Sequence, residues 1–283
     1  MILFKTINDF KKYITKVQPH SGSIGFVPTM GALHNGHLSL IKTSKKVSGL
    51  TVCSIFINPT QFNDPSDYQL YPVTIDQDIR LLEREGCDIL FLPPVNEIYP
   101  PGYEKKHVEL GALEHLLEGK YRPGHFQGVC QVVDQLLSIV EPDQLFLGQK
   151  DYQQCMVITE LIRQTGKKIR LQMVPTMRET SGLAMSSRNL RLSETDRIKA
   201  AAIYRTLQWI SSSIQPGPVT DIISKAESLL MNAGFDKVDY ISIAAANNLE
   251  PVTFWDGKTS LVVLAAAFLS GIRLIDNISL TTD

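Results

Sequence analysis

Two hydrophobic periods alternate along the first half of the chain, and each switch between them marks a change of element. The apolar run at 24–27 reads as a strand; Pro28 and Gly31 break it. Apolar positions resume at Leu38, Leu40 and Ile41 with the spacing of a helix face. A buried-strand run at 51–57 ends in the polar turn Asn58, Pro59, Thr60, Gln61. The pattern then predicts a helix at 74–85, opened by a capping box from Thr74 to Gln77 and closed by Gly86. A strand follows at 87–92, stopped by Pro93 and Pro94. The order β-α-β-α-β is that of an open parallel sheet.

Further on, 110–118 and 128–140 read as helices, and 121–126 as a mobile loop carrying Arg122 and His125. A short strand at 145–147 leads through Gly148, Gln149, Lys150 and Asp151 into a helix at 152–164, and 169–174 is again strand-like. After Pro175 the pattern changes. Residues 178–189 are polar and irregular, Ser193 caps a long helix to about 213, and the break at Pro216, Gly217 and Pro218 precedes another helix to 232. Three strand-like runs follow at 237–243, 261–268 and 272–275. Helices followed by strands, without strict alternation, suggest a smaller α+β unit. The expected architecture is therefore α/β: a Rossmann-like open parallel sheet at 1–175, followed by a smaller α+β domain at 176–283.

Composition narrows the partners. The chain has 283 residues, 43% apolar and 20% charged, with a net charge of −1, which gives no electrostatic argument for nucleic acid or a membrane surface. Cys53, Cys87, Cys130 and Cys155 are scattered within apolar runs, as small core residues of a reducing compartment are. The opening M-I-L-F-K-T lacks a basic leader followed by an apolar block, and the longest apolar run, at 261–269, is under half a bilayer span. A cytoplasmic protein is expected.

The chemistry concentrates at strand ends. The stretch F-V-P-T-M-G-A-L-H-N-G-H aims a helix N-terminus above the sheet, an arrangement that attracts anions and phosphates. His34 and His37, three apart, leave it on nearly the same face. Three other readings of this stretch exist. The pair could be surface decoration. It could be half a zinc site, but no H-E-x-x-H or C-x-x-C accompanies it. Gly31 and Gly36 have P-loop spacing, yet His37 and Leu38 occupy the positions of its Lys and Ser/Thr. Added to the amides of 58–61, to Lys150 and to the serines and arginine of 185–188, the histidines make a phosphate-binding inventory for a small polar substrate.

The first stretch resembles the HIGH motif of the nucleotidyltransferase superfamily, and Met185-Ser186-Ser187-Arg188 resembles its KMSKS-like signature. The finer resemblance is to the pantothenate synthetase (pantoate–β-alanine ligase) family. It is carried by that first block together with I-F-I-N-P-T-Q-F, R-P-G-H-F-Q-G-V, G-Q-K-D-Y-Q-Q, G-L-A-M-S-S-R-N and A-A-A-F-L-S-G-I-R-L-I-D-N-I, in order over almost the whole chain. The resemblance implies that ATP and pantoate give pantoyl adenylate and pyrophosphate, and that β-alanine then yields pantothenate and AMP. It implies ATP binding by Met30, Gly31, Ala32, Leu33, His34, Asn35, Gly36 and His37, with His37 as proton donor. Gly148, Gln149, Lys150, Asp151, Met177, Met185, Ser186, Ser187 and Arg188 would complete the nucleotide site. Gln61 would bind pantoate and β-alanine, and Gln154 pantoate. His34, Lys150, Ser186, Ser187 and Arg188 suit electrostatic catalysis without a covalent nucleophile. Mg²⁺ is expected with ATP, held by substrate oxygens and water and not by protein ligands. The resemblance also implies a homodimer, and the 185–188 loop reads as a lid carried by the second domain. An aminoacyl-tRNA synthetase-like enzyme and a non-catalytic nucleotide sensor are the alternatives that share such a site.

Overall fold

The computed structural model describes residues 1–62 and 68–280, without the side chains of Pro19 and Ser21. It divides into two compact units. The first comprises Met1–Glu114, Arg122–Gln149 and Gln154–Pro175; the second comprises His115–Tyr121, Lys150–Gln153 and Thr176–Asp283.

The first unit is built on six parallel strands: β1 (Ile2–Phe4), β2 (Ile24–Thr29), β3 (Leu50–Ile55), β4 (Ile89–Phe91), β5 (Gln144–Gly148) and β6 (Arg170–Val174). Their order is β1-β4-β3-β2-β5-β6. The chain therefore winds outward from β2 through β3 to β4, then returns to the other side of β2 for β5 and β6. Direction reverses between β2 and β5, and in such sheets the crevice beyond the carboxyl ends at that point receives the ligand.

Alternation along the strands feeds two cores. Ile24, Phe26, Val52, Ile89, Phe91, Leu145 and Leu147 face helices α1 (Ile7–Ser21), α4 (His125–Val140) and α5 (Tyr152–Thr165). Val27, Cys53, Ile55, Leu90 and Phe146 face α2 (Asn35–Val47) and α3 (Ile75–Arg84). Strands covered on both faces are apolar at most positions, which is why they read as near-continuous runs, with the buried hydroxyls of Thr51 and Thr29 hydrogen-bonded.

Several features of this part of the chain differ from the sequence reading. β2 continues through Pro28 to Thr29: it pairs with β5 only at Gly25 and Phe26, so the proline lies beyond that ladder and its missing N–H costs no bond there. The segment 110–118 is not one helix, because Gly111 and Leu117 take positive φ (55° and 44°) and split it into a 3₁₀ turn and the short helix Leu117–Tyr121. Residues 121–126 are not a free loop, since α4 begins at His125 with Gly124 as its left-handed N-cap. Thr74 caps α3 without a side-chain bond to the backbone; its hydroxyl donates instead to Asp78 at 3.1 Å.

In the second unit, α6 (Glu194–Ala200), α7 (Ala202–Ser213) and α8 (Thr220–Asn232) accompany an antiparallel sheet of three long strands. The short ribbon β7 (Gly217–Pro218) pairs with β9 (Phe254–Trp255). The main sheet runs β11-β10-β8, with β8 at Lys237–Ala245, β10 at Leu261–Leu269 and β11 at Ile272–Leu280. The helix read at 193–213 bends at Ala201, where three successive buried alanines bring the chain close to the core. Arg273 on β11 donates to both carboxylate oxygens of Glu118 (2.7 and 2.8 Å) and to Asp239 (2.8 Å), fastening 117–121 to this sheet.

No described helix is long and apolar enough to cross a membrane. The four cysteines are free and buried, and burial pushes the Cys87 and Cys130 thiols up to about 12. Thiolate, not thiol, is the reactive form. Native protein at pH 8 should therefore leave all four unreacted with Ellman's reagent for minutes, and denatured protein should react at four. A fast-reacting thiol in the native state would contradict this packing.

Candidate active site

At the carboxyl end of β2 the chain turns through Met30–Gly31–Ala32–Leu33 into α2. Thr29 Oγ1 donates to Ser54 O at 2.7 Å and accepts from Gly31 N at 3.2 Å. Gly31 has φ +82°, which L side chains rarely adopt, and a Cβ there would lie 3.1 Å from Asp78 Oδ2 and from Ile55. Beyond it, Ala32 N and Leu33 N donate to the two oxygens of Asp78 at 2.9 and 2.8 Å. Asp78 is fully buried, so one carboxylate shapes the whole turn from beneath. Both Ala32 and Leu33 are buried and give their N–H groups to Asp78; what they set is the course of the backbone.

His34 is the N-cap of α2, and its Nδ1 accepts from Gly36 N at 3.1 Å. His37 reaches back, its Nδ1 accepting from His34 N at 3.3 Å, and the two rings lie 4.0 Å apart. A backbone N–H pointing at Nδ1 leaves the ring proton on Nε2 in each neutral imidazole. The two rings thus take the His34 and Gly36 N–H groups that the sequence offered to an anion, and each neutral imidazole keeps its own proton on Nε2.

The turn after β3 is held as firmly. Asn58, 1% exposed, donates through Nδ2 to Gln61 Oε1 and to Gly128 O, both at 3.1 Å. Its Oδ1 accepts from Thr60 Oγ1 (3.0 Å) and from Tyr99 Oη (2.9 Å). Burial pushes Tyr99 up to about 12, keeping it a donor. Gln61 Nε2 meanwhile donates to Met30 Sδ at 2.9 Å, so the amide is oriented from both ends. A Cβ on Gly128 would lie 2.3 Å from Thr60 O; only glycine lets α4 approach this turn. Arg122 Nη1 lies 3.0 Å from His125 Nε2, and His125 Nδ1 lies 2.8 Å from Gln61 O. A guanidinium only donates and a carbonyl only accepts, so His125 carries its proton on Nδ1. Gly148 and Gln149 follow at the end of β5, on the other side of β2 from this turn, and Gln154 lies half-buried on α5.

The remaining sequence-named residues belong to the second unit. Arg178 and Ala184 form an antiparallel bridge, and Met185 N donates to Met177 O at 2.9 Å, so the stretch read as irregular is a hairpin. Ser186 caps the 3₁₀ turn Ser187–Arg191 by accepting from Arg188 N at 3.3 Å. Asn189 braces that turn through Ala184 O and Glu179, both at 3.0 Å. Lys150 is half-buried, its Nζ 3.5 Å from Asp151. The residues that sequence reasoning missed are the supports: Asp78, Arg178, Asp276 and Asn277. Asp78 had a readable signal, since it lies among Ile75, Ile79 and Leu82 on the buried face of α3.

A doubly wound sheet with oriented imidazoles and amides at its switch point defines an α/β protein with a ligand crevice of the nucleotide-binding kind. Comparison narrows the class. The chain belongs to the pantoate-beta-alanine ligase family, whose pattern it matches over residues 2–279. It is 43% identical over 280 residues to the pantothenate synthetase of Cytophaga hutchinsonii, covering 98% of this chain and 99% of that one. It is 41% identical to the Thermotoga petrophila enzyme of the same name over 279 residues, covering 98% and 99%. Among solved structures, the Thermus thermophilus pantothenate synthetase superposes with a TM-score of 0.92 at 36% identity, covering both chains fully. The pantoate-beta-alanine ligase of Francisella tularensis, complexed with beta-gamma ATP and beta-alanine, gives 0.84 at 37% identity, covering 100% of this chain and 99% of its own.

Proposed function

We propose that this chain condenses pantoate with β-alanine at the expense of ATP, through pantoyl adenylate. In the first step a pantoate carboxylate oxygen attacks the α-phosphorus; the bond to the bridging oxygen breaks and pyrophosphate leaves. In the second step the β-alanine amine attacks the acyl carbon, AMP departs with the bonding pair, and the amine loses its proton. The observation that carries the reading is the pair of Nε2–H donors at the start of α2, in a chain of this family, beside a Gln61 amide fixed in orientation. Charge builds on phosphate oxygens in the first step, and donors aimed in advance stabilise it without reorganisation.

Within this reading Met30 to His37, Gly148 to Asp151, Met177 and Met185 to Arg188 serve ATP, while Gln61 and Gln154 serve pantoate and Gln61 also β-alanine. Among the described residues no three His, Cys, Asp or Glu are grouped to hold a metal ion. A magnesium ion would fit as a companion of the triphosphate, neutralising its charge from phosphate oxygens and water. A homodimeric, cytoplasmic enzyme completes the proposal.

The direct test is pantoate-dependent exchange of labelled pyrophosphate into ATP without β-alanine. Exchange is expected, and a nucleotide sensor would show none. Gln61→Ala should weaken pantoate and β-alanine use while leaving ATP titration nearly unchanged, because its amide is tuned to hydroxyl and ammonium partners. Equal loss of ATP affinity would move Gln61 into the nucleotide site. Arg188→Lys should slow adenylation yet leave purified adenylate reactive with β-alanine, since a lysine cannot reproduce a bidentate phosphate grip. Equal loss in both steps would contradict that role.

A further inference from the structure

Within the second unit, two adjacent residues of β11 hold two of the segments proposed above to serve ATP. Asp276 and Asn277 are 4% and 2% exposed. Arg178, at the base of the hairpin leading to Ser186–Arg188, donates to Asp276 twice, Nη1 to Oδ2 at 2.6 Å and Nη2 to Oδ1 at 3.0 Å. The same guanidinium donates to Gly182 O at 3.1 Å and to Asn277 O at 3.3 Å, and it lies 3.6 Å from the Tyr204 ring centre. Four N–H donations and one ring contact are thereby spread over the hairpin, the strand and an aromatic face, so the hairpin's base has one position. Asn277 Nδ2 in turn donates to Lys150 O at 2.8 Å. Asn277 N donates to Asp276 Oδ1 at 2.8 Å, stiffening the link between the two side chains.

Successive side chains of a strand leave opposite faces. Asp276 therefore faces with Ile272 and Leu274, which pack in this unit's core, while Asn277 faces with Arg273. One peptide unit of β11 ties the hairpin on one face to the Lys150 backbone on the other. Burial pushes the Asp276 carboxyl up, while Arg178 and, after it, Asn277 N–H and Lys150 pull it back. The carboxylate thus responds to both segments.

We infer that Asp276 and Asn277 are positioning residues that set Lys150 and the Ser186–Arg188 turn in register for the adenylation step. The inference rests on the proposed function, which gives those two segments their common ligand. A support at this remove from the reacting atoms governs rate through placement, and small misplacement costs heavily. No substrate contact by either residue is needed.

The test uses the full-length enzyme with wild type, Asn277→Ser, Lys150→Ala and the double variant. Pantoate-dependent pyrophosphate exchange, the pantoate KM and the reaction of purified adenylate with β-alanine are measured for each. Asn277→Ser should lower exchange turnover roughly tenfold to a hundredfold. The pantoate KM and the second half-reaction should move less than about threefold, well under that placement loss. In the double variant the loss should equal that of Lys150→Ala alone, because the asparagine acts through Lys150. Asn277→Asp, with the same shape but an acceptor facing a carbonyl, should behave likewise and serves if the serine variant fails to fold. Multiplying losses in the double variant, or equal slowing of both half-reactions, would overturn the inference. Wild type without exchange would instead overturn the adenylation reading itself, and the inference with it.

Discussion

Replacing His37 with alanine is expected to raise the adenylation barrier by about 2–4 kcal/mol, the usual loss when one donor aimed at developing charge is removed. The ring is already set for that role. His34 N–H fixes its Nδ1, so the proton sits on Nε2, and stacking on His34 at 4.0 Å limits its rotation. The substitution also deletes half of the capping box at the start of α2, which costs about 1 kcal/mol of stability. Leu38, Leu40 and Ile41 remain buried behind it, so the fold should persist. Single-turnover adenylate formation, with circular dichroism as the folding control, checks both halves. A folded variant that retains the wild-type rate would remove His37 from the chemistry.

Asp78→Ala should have the largest effect on stability. The carboxylate accepts from Ala32 N, Leu33 N and Thr74 Oγ1 in a site without solvent. Alanine would strand two buried backbone donors, each worth roughly 1–3 kcal/mol when unmade, so about 2–6 kcal/mol is expected from urea unfolding. Asp78→Asn keeps the shape but turns one acceptor into a donor facing an N–H, and should fall between wild type and alanine. Because Asp78 shapes the turn that carries the histidines, the asparagine variant should also lose adenylation rate at temperatures where it remains folded. Asparagine equal to wild type in both respects would show that the turn holds itself.

These two residues also show how far the sequence could be read. His37 stands in a contiguous block whose spacing announces a strand, a glycine turn and a helix start, all of them local signals. Asp78 acts across 46 positions on Ala32, and Thr74, read as half of a capping box, spends its hydroxyl on that carboxylate instead. Local rules assign a side chain to its nearest backbone, and here a distant partner competes better. β1 went unread for a related reason: three half-exposed residues make no pattern, and their strand identity comes from pairing with β4. Arg122 and His125 read as basic groups in a loop because charge suggests solvent; in the fold both are turned onto the Gln61 carbonyl. Asp276 and Asn277 lie in a block quoted for its resemblance, yet only the second unit's tertiary structure shows what they hold.

In the proposed reaction a pantoate oxygen becomes bonded to the α-phosphorus. Pantoate labelled with ¹⁸O in its carboxylate, turned over with ATP and β-alanine, should deliver one labelled oxygen to AMP, read by mass spectrometry of the isolated nucleotide. AMP without label, or label found in inorganic phosphate alongside ADP, would contradict the adenylate and the roles derived from it.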